Sequence, residues 1–220
     1  MPVRKIPRNY RNITGIAAHT KAIGSAAFES TLERDFLSLI EFSNDVTKFE
    51  VQPVSIEWLD FTGKRHSYIP DVLVHYKQSG RTKTVILYEI KYRSDLKENW
   101  QALKPKFKAA IKYCKARGWH FKVVTEVEIR TLYLDNVRFL QPYVIQAAFH
   151  EHYESHMRLL NNQLRILKFS TPKELLSKIF ADEWSQAELL PTLWYLIGTF
   201  QIGIDLNQPL SMQSKIWSIR

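Results

Sequence analysis

The 220-residue sequence predicts a mixed α/β fold, a mixed sheet flanked by helices, followed by a small C-terminal α+β domain. Three observations carry this. Residues 68–92 read as a β-hairpin, and helix-period segments stand before and after it. A further strand pattern, Trp119 to Thr125, follows the second of those helices. From about residue 146 the chain changes to helices with strong capping signals, and Ile179 to Ser214 contains no Lys or Arg. The expected division is a basic arm over 1–25, a first domain over 26–145 and a second over 146–220.

Each element has its own warrant. Residues 1–25 show little periodicity and carry Arg4, Lys5, Arg8, Arg11 and Lys21 before the first acid, Glu29. From Ser30, the spacing of Leu32, Phe36, Leu39 and Ile40 is helical. Ser30 or Thr31 can cap that helix, with Glu33 and Asp35 in its favourable first turn. Phe49 to Leu59 reads as a strand broken by Pro53. The hairpin joins Tyr68–Tyr76 to Thr84–Tyr92 through a turn marked by Gln78, Ser79 and Gly80. Leu96 to Arg117 reads as a helix with a basic outer face, interrupted near Pro105 and ended at Gly118. Helix, strand, hairpin, helix, strand is a mixed α/β order.

In the last third, Ala147 to Leu167 is helical in period. Thr171-Pro172-Lys173-Glu174 and Ser185-Gln186-Ala187-Glu188 are capping-box starts, the first with Pro at N1. The second of these helices should run to about Ile197 and stop at Gly198. Two short strands, Phe200–Leu206 and Met212–Ile219, then flank the turn Asn207-Gln208-Pro209. Three helices and a hairpin resemble a winged helix, which often binds DNA through its third helix. Here that helix carries Glu188 and no basic residue, whereas phosphate binding needs Lys or Arg. The domain is expected to contact protein.

With 45% hydrophobic and 13% aromatic residues the chain can bury a real core. It has no run of 18 apolar residues and no apolar leader, and its one cysteine, Cys114, rules out a disulfide framework or a multi-cysteine zinc site. A cytoplasmic protein is expected. The formal charge of +9 favours an anionic partner, most often nucleic acid. A basic cluster, Lys91 to Lys122, follows the hairpin, diluted only by Asp95 and Glu98.

The hairpin carries polar residues that its core does not need. Strand side chains alternate, so Glu89 and Lys91 share a face, roughly 6.8 Å apart along the strand. If the strands pair, Asp71 faces Glu89 across about 5 Å. Two opposed carboxylates require a cation. Lys91 can supply it, and so can a hard ion such as Mg²⁺, which prefers oxygen ligands. Pro70-Asp71, followed after a gap by Glu89-Ile90-Lys91, matches PD-(D/E)xK, the signature of restriction-endonuclease-like nucleases. Phosphodiester hydrolysis needs a metal to polarise the phosphate and to lower the pKa of the attacking water. Asp71, Glu89 and the Ile90 carbonyl can hold one. Lys91 can orient the water and offset charge growing on the phosphate. Glu33, on the preceding helix, is placed to complete a second metal site. The bland readings are helix-dipole complementation for Glu33 and a surface ion pair for Glu89 and Lys91.

Ser30-Thr31-Leu32-Glu33-Arg34-Asp35-Phe36-Leu37, Tyr68-Ile69-Pro70-Asp71 and Tyr88-Glu89-Ile90-Lys91 resemble the TnsA family, over roughly residues 10 to 125. TnsA is the endonuclease subunit of cut-and-paste transposases that also use TnsB and TnsC. The resemblance implies Glu33, Asp71 and Lys91 as the family's helix carboxylate, strand aspartate and lysine. Glu89 lies where some relatives carry Gln, and Glu29 competes with Glu33 one turn earlier. It further implies a prokaryotic, Mg²⁺-dependent enzyme, with Mn²⁺ as a substitute. Such an enzyme cuts the 5′ strands of double-stranded DNA at transposon ends. A TnsB-like DDE transposase cuts the 3′ ends, and a TnsC-like AAA+ ATPase binds the C-terminal domain. A standalone restriction or repair nuclease and a non-catalytic DNA-binding scaffold are the alternatives.

Other residues have quieter expectations. His150, His152 and His156 lack a third metal ligand and read as solvated or capping histidines. Cys114 reads as an inert buried thiol, and Trp184, Trp194 and Trp217 as core. Arg130 to Phe139 has no clear pattern.

Overall fold

Pro70 decides how the first unit is laid out. It has no N–H to give a ladder, so a strand cannot run through it at the centre of a sheet. Where the sequence suggests one strand from Tyr68 to Tyr76, the computed structural model has two, and Asp71 stands just before the second of them. The described residues are 15–17, 19–60, 62–78, 84–146 and 152–219. They fall in two compact units, Met1–Arg130 and Thr131–Arg220. Arg4, Lys5, Arg8 and Arg11 of the basic arm, Ser79 and Gly80 of the hairpin turn, and His150 lie outside the described residues.

In the first unit, β1 (Gly15–Ala17) pairs antiparallel with β2 (Ala26–Phe28). Part of the expected patternless arm is therefore ordered, and Lys21 shows why. Its Nζ donates to the carbonyls of Glu41 and Ser43 at 2.6 and 2.7 Å, satisfying the end of the next helix. That helix, α1 (Thr31–Phe42), is capped by Ser30, whose hydroxyl accepts from the Glu33 N–H. The main sheet has the order β3-β6-β7-β8, built from Val46–Val51, Val72–Tyr76, Val85–Ile90 and His120–Val124. β3, β6 and β7 are antiparallel, and β8 lies parallel to β7. The hairpin pairing is thus as the alternation suggests, with Val72 opposite Tyr88 and Leu73 opposite Leu87. β4 (Ile56–Leu59) and β5 (Arg65–Tyr68) form a separate antiparallel pair.

Val72, Leu73 and Val74 are all buried, so β6 is covered on both faces rather than alternating. Phe36 of α1 packs on Tyr88, ring centroids 4.9 Å apart. Leu73 and Leu87, pointing the other way, pack with Ala110 and Cys114. Those two belong to α3 (Trp100–Lys115), which α2 (Arg93–Glu98) precedes. The break in the basic helix falls at Asn99, where φ is −107° and ψ 15°. Pro105, the expected interruption, is accommodated inside α3. Gly118 ends the connection with φ +68°, a conformation that favours glycine. α4 (Glu126–Ile129) closes the unit behind a Thr125–Glu128 capping box.

The second unit runs α5 (Leu132–Gln146), α6 (Tyr153–Leu167), β9 (Phe169–Ser170), α7 (Pro172–Ile179), α8 (Glu183–Gly198), β10 (Ile202–Ile204) and β11 (Ile216–Ser218). Its sheet has the order β10-β11-β9. α5 occupies the stretch that had no clear pattern. It packs on α8 through Phe139 and Trp194, 5.2 Å between centroids, and through Gly198, where a Cβ would stand 2.6 Å from Val144. The units consequently divide at Arg130, earlier than the expected 145/146. Thr171 caps α7 with Pro172 at N1, as the sequence suggests. α8 instead starts one turn before the expected Ser185, because the Asp182 carboxylate accepts from the Ser185 N–H. The strands of the last hairpin are shorter than expected and the connection between them longer. Trp194 is core, whereas Trp184 is 86% exposed. No described helix is long and apolar enough to cross a membrane.

Candidate active site

β6 and β7 part company at Pro70, and the candidate site forms in the gap. The Asp71 N–H still donates to the Tyr88 carbonyl, at 3.1 Å, and its own carbonyl accepts from Gln52 at 2.8 Å. The next donor on β7, the Ile90 N–H, finds no strand carbonyl. It donates to Asp71 Oδ2 at 2.6 Å, so the side chain replaces the missing ladder partner. This fixes the carboxylate where the register, carried one residue past Val72–Tyr88, sets it opposite Glu89.

Glu89 is only 3% exposed. The Tyr68 hydroxyl donates to its Oε2 at 2.6 Å, and Lys91 Nζ lies 3.0 Å from its Oε1. The same ammonium is 3.6 Å from Asp71 Oδ2 and donates to the Ile90 carbonyl at 3.1 Å. Lys91 is itself held by β8, through its N–H to the Val124 carbonyl at 3.1 Å. Two carboxylates, one carbonyl and one ammonium therefore share a pocket at the C-terminal end of β7.

Glu33 is tied down differently. Its Oε2 accepts from the Glu29 N–H at 2.8 Å and its Oε1 from the Ser30 hydroxyl at 3.0 Å, which is the capping role. It interacts with Lys91 and Asp71 through space, and no direct ion pair joins it to either. Glu29, its competitor, accepts from Gln52 Nε2 at 3.2 Å.

Electrostatics follow from this crowding. Burial, and next the Glu89 carboxylate, hold the Asp71 carboxyl well above the usual carboxylate range, against the pull of Lys91. Burial also raises Glu33, opposed by its hydrogen bonds from Glu29 and Ser30 and by Lys91. Burial alone would lower Lys91, but Asp71, Glu89 and Glu33 more than reverse it and hold the ammonium charged. Burial and the neighbouring Glu89 raise Tyr68, which keeps its proton and stays a donor. The pocket is thus over-supplied with negative charge, and its oxygens are the ligands a hard divalent ion takes. Those that could hold one belong to Asp71, Glu89 and Ile90. Among the described residues no three His, Cys, Asp or Glu side chains stand close enough to hold an ion by themselves. Glu33 accordingly reaches the pocket by charge rather than as a formed ligand.

Tyr68, Gln52, Tyr92 and Arg130 were not legible as site residues. Tyr68 could have been found, since it stands on the same run as Asp71 and offers a donor beside it. Of the expected solvated or capping histidines, His152 is exposed and stands at the start of α6 with no side-chain cap bond. Cys114 is buried, and burial pushes its thiol up to about 11.

A mixed sheet flanked by helices, with two acids and a lysine at its strand ends, is consistent with a nuclease fold. Residues 43–126 match the model for the TnsA-like endonuclease N terminal, and residues 128–206 match that for the TnsA endonuclease C terminal. The chain belongs to the TnsA family. Asp71, Glu89 and Lys91 fall inside the first match, and Glu33 precedes it. No curated protein sequence matches the chain.

Proposed function

We propose that this transposase endonuclease subunit is a Mg²⁺-dependent nuclease, with Mn²⁺ as a substitute, that cuts the 5′ non-transferred strands at transposon ends. A TnsB-like DDE transposase cuts the 3′ strands in the same complex. One observation carries the reading: Lys91 Nζ is held between Asp71 and Glu89 and against the Ile90 carbonyl, in a pocket that still has more negative than positive charge. When bound, the ion polarises the scissile phosphate and acidifies the attacking water. Asp71, oriented by the Ile90 N–H, and Glu89, oriented by Tyr68, hold the ion. Lys91 is too basic to give up its proton at neutral pH, so it cannot serve as a general base and acts as a fixed charge. It orients the water and offsets charge building on the phosphate. Double-stranded DNA is the partner of the exposed stripe Lys104, Lys108, Lys112 and Lys115 along α3.

The order α6-β9-α7-α8-β10-β11 supports a winged-helix-like reading of the second unit. α8 has no basic residue, and the exposed Trp184 stands beside Asp182 and Glu183 at its start. This suits a protein surface rather than DNA, and we assign it to a TnsC-like AAA+ ATPase. The test is strand-specific cleavage of a transposon end with both partner proteins and Mg²⁺. Asp71→Ala should abolish 5′-strand cuts and leave 3′-strand cuts. A variant that cuts both strands normally ends the proposal.

A further inference from the structure

Arg130, the last residue of the first unit, makes more polar contacts than its position after a four-residue helix requires. Its Nε donates to Asp35 Oδ2 at 3.0 Å. Its Nη2 donates to Thr31 Oγ1 at 3.0 Å and to the Tyr92 hydroxyl at 3.2 Å, and the guanidinium carbon lies 5.5 Å from the centre of the Tyr92 ring. Thr31 and Tyr92 also approach each other at 3.4 Å. One planar fork therefore grips two segments far apart in sequence, a geometry that Lys cannot copy.

Both segments carry the site. Thr31 and Asp35 are one helical turn apart on α1, and Glu33 lies between them on the opposite side of that turn. Tyr92 directly follows Lys91. Among the described residues, Glu33 bonds to Ser30 and Glu29, at its own helix start. Its distance from Asp71 and Lys91 is then set by how the first turn of α1 rests on the end of β7. Phe36 on Tyr88 holds the helix one turn further along. At the first turn itself the tie is polar, and it is anchored by Asp35, which is 2% exposed. Arg34 Nη2 holds the other oxygen, Oδ1, at 3.3 Å, and a carboxylate buried so deeply needs such cationic partners, which makes the grip rigid.

We infer that Arg130 is a positioning residue: it fastens the first turn of α1 to the end of β7 from behind the pocket, and so sets where Glu33 stands relative to the metal-holding oxygens. The inference rests on the nuclease reading above.

The test compares Arg130→Met and the double variant Thr31→Val/Tyr92→Phe with the parent chain. The double variant removes both hydroxyl acceptors and keeps the Arg130–Asp35 pair, so it spares the buried carboxylate that Arg130→Met deprives of a cation. Two measurements are made: Mn²⁺ affinity of the full chain by titration calorimetry, and 5′-strand cleavage against Mg²⁺ concentration with the partner proteins. Positioning through a neighbouring shell predicts Mn²⁺ affinity lower by about 10-fold and a matching rise in the Mg²⁺ needed for half-maximal cleavage. Wild-type values in the double variant overturn the inference. So does a loss of cleavage that only follows the loss of folded protein, with metal dependence unchanged. Asp71→Ala, run beside them, separates the two claims: if it cuts 5′ strands normally, the nuclease reading has failed, whatever Arg130 does.

Discussion

Replacing Lys91 by Met keeps the stem and deletes the cation that lies between Asp71 and Glu89. At an effective dielectric of about 20, a charge pair 3.0 Å apart is worth roughly 5.5 kcal/mol and one 3.6 Å apart roughly 4.6 kcal/mol. Those gains are offset by several kcal/mol for taking the ammonium out of water, so the measured loss should resemble that of other broken buried pairs, about 3–5 kcal/mol. The Lys91 side chain remains 30% exposed, which places the expectation near the low end, about 3 kcal/mol. Urea unfolding followed by tryptophan fluorescence, at pH 8 in chelator, reads it directly. The loss should shrink as the pH falls toward 5, because Asp71 and Glu33, whose carboxyls are already raised, then take up protons and stop repelling. Adding Mn²⁺ at about 100 times its dissociation constant should return about 2.7 kcal/mol, since the ion binds only the folded pocket. A Lys91→Met variant as stable as its parent at pH 8, or one whose deficit is the same at pH 5 and pH 8, would refute the shared-cation argument.

Other outcomes follow from the same geometry. Asp71 has a raised folded pKa, so its contribution to stability falls as pH rises through that value while its affinity for a cation grows. Calorimetry should therefore find tighter Mn²⁺ binding at pH 8 than at pH 6. Tyr68→Phe removes a donor to a buried carboxylate and should cost about 2 kcal/mol in urea unfolding, with weaker Mn²⁺ binding. Asn136 donates to the carbonyls of Leu206 and Gln208 and accepts from the Leu210 N–H, so Asn136→Ala should cost about 3 kcal/mol in the second unit and leave Mn²⁺ affinity unchanged. At Gly203 a Cβ would sit 2.1 Å from the Trp217 indole nitrogen, so Gly203→Ala should lower the melting temperature of the second unit by several degrees.

Much of this was legible, and the reasons are physical. Alternation is a strict period, so pairing 72–76 with 85–90 is enough to set Asp71 against Glu89. A cap is a local signal too, and Ser30 and Thr171 both cap where they should. What failed was what depends on distant partners. Pro70 splits one apolar run between two sheets, which period alone cannot reveal. The Asn99 break wins over Pro105, a residue α3 absorbs. α5 hides because its burial comes from a distant helix, α8, through contacts such as Phe139 on Trp194. Trp184 looks like core by its neighbours, yet it stands outside. The Arg130 grip spans 99 residues to Thr31, so no local pattern could announce it.

The Tyr68 hydroxyl beside position 89 has a consequence for how this pocket can vary. A phenol O–H both gives and receives hydrogen bonds. It seats a carboxylate by donating, and it could seat a carboxamide by turning to accept from the NH₂ while the amide oxygen stays on Lys91. An exchange of Glu89 for Gln would thus leave the furniture in place and change only the sum of charges, making Asp71 easier to ionise. Position 89 works as an acidity dial for its neighbour, adjustable by a single atom pair without moving the backbone.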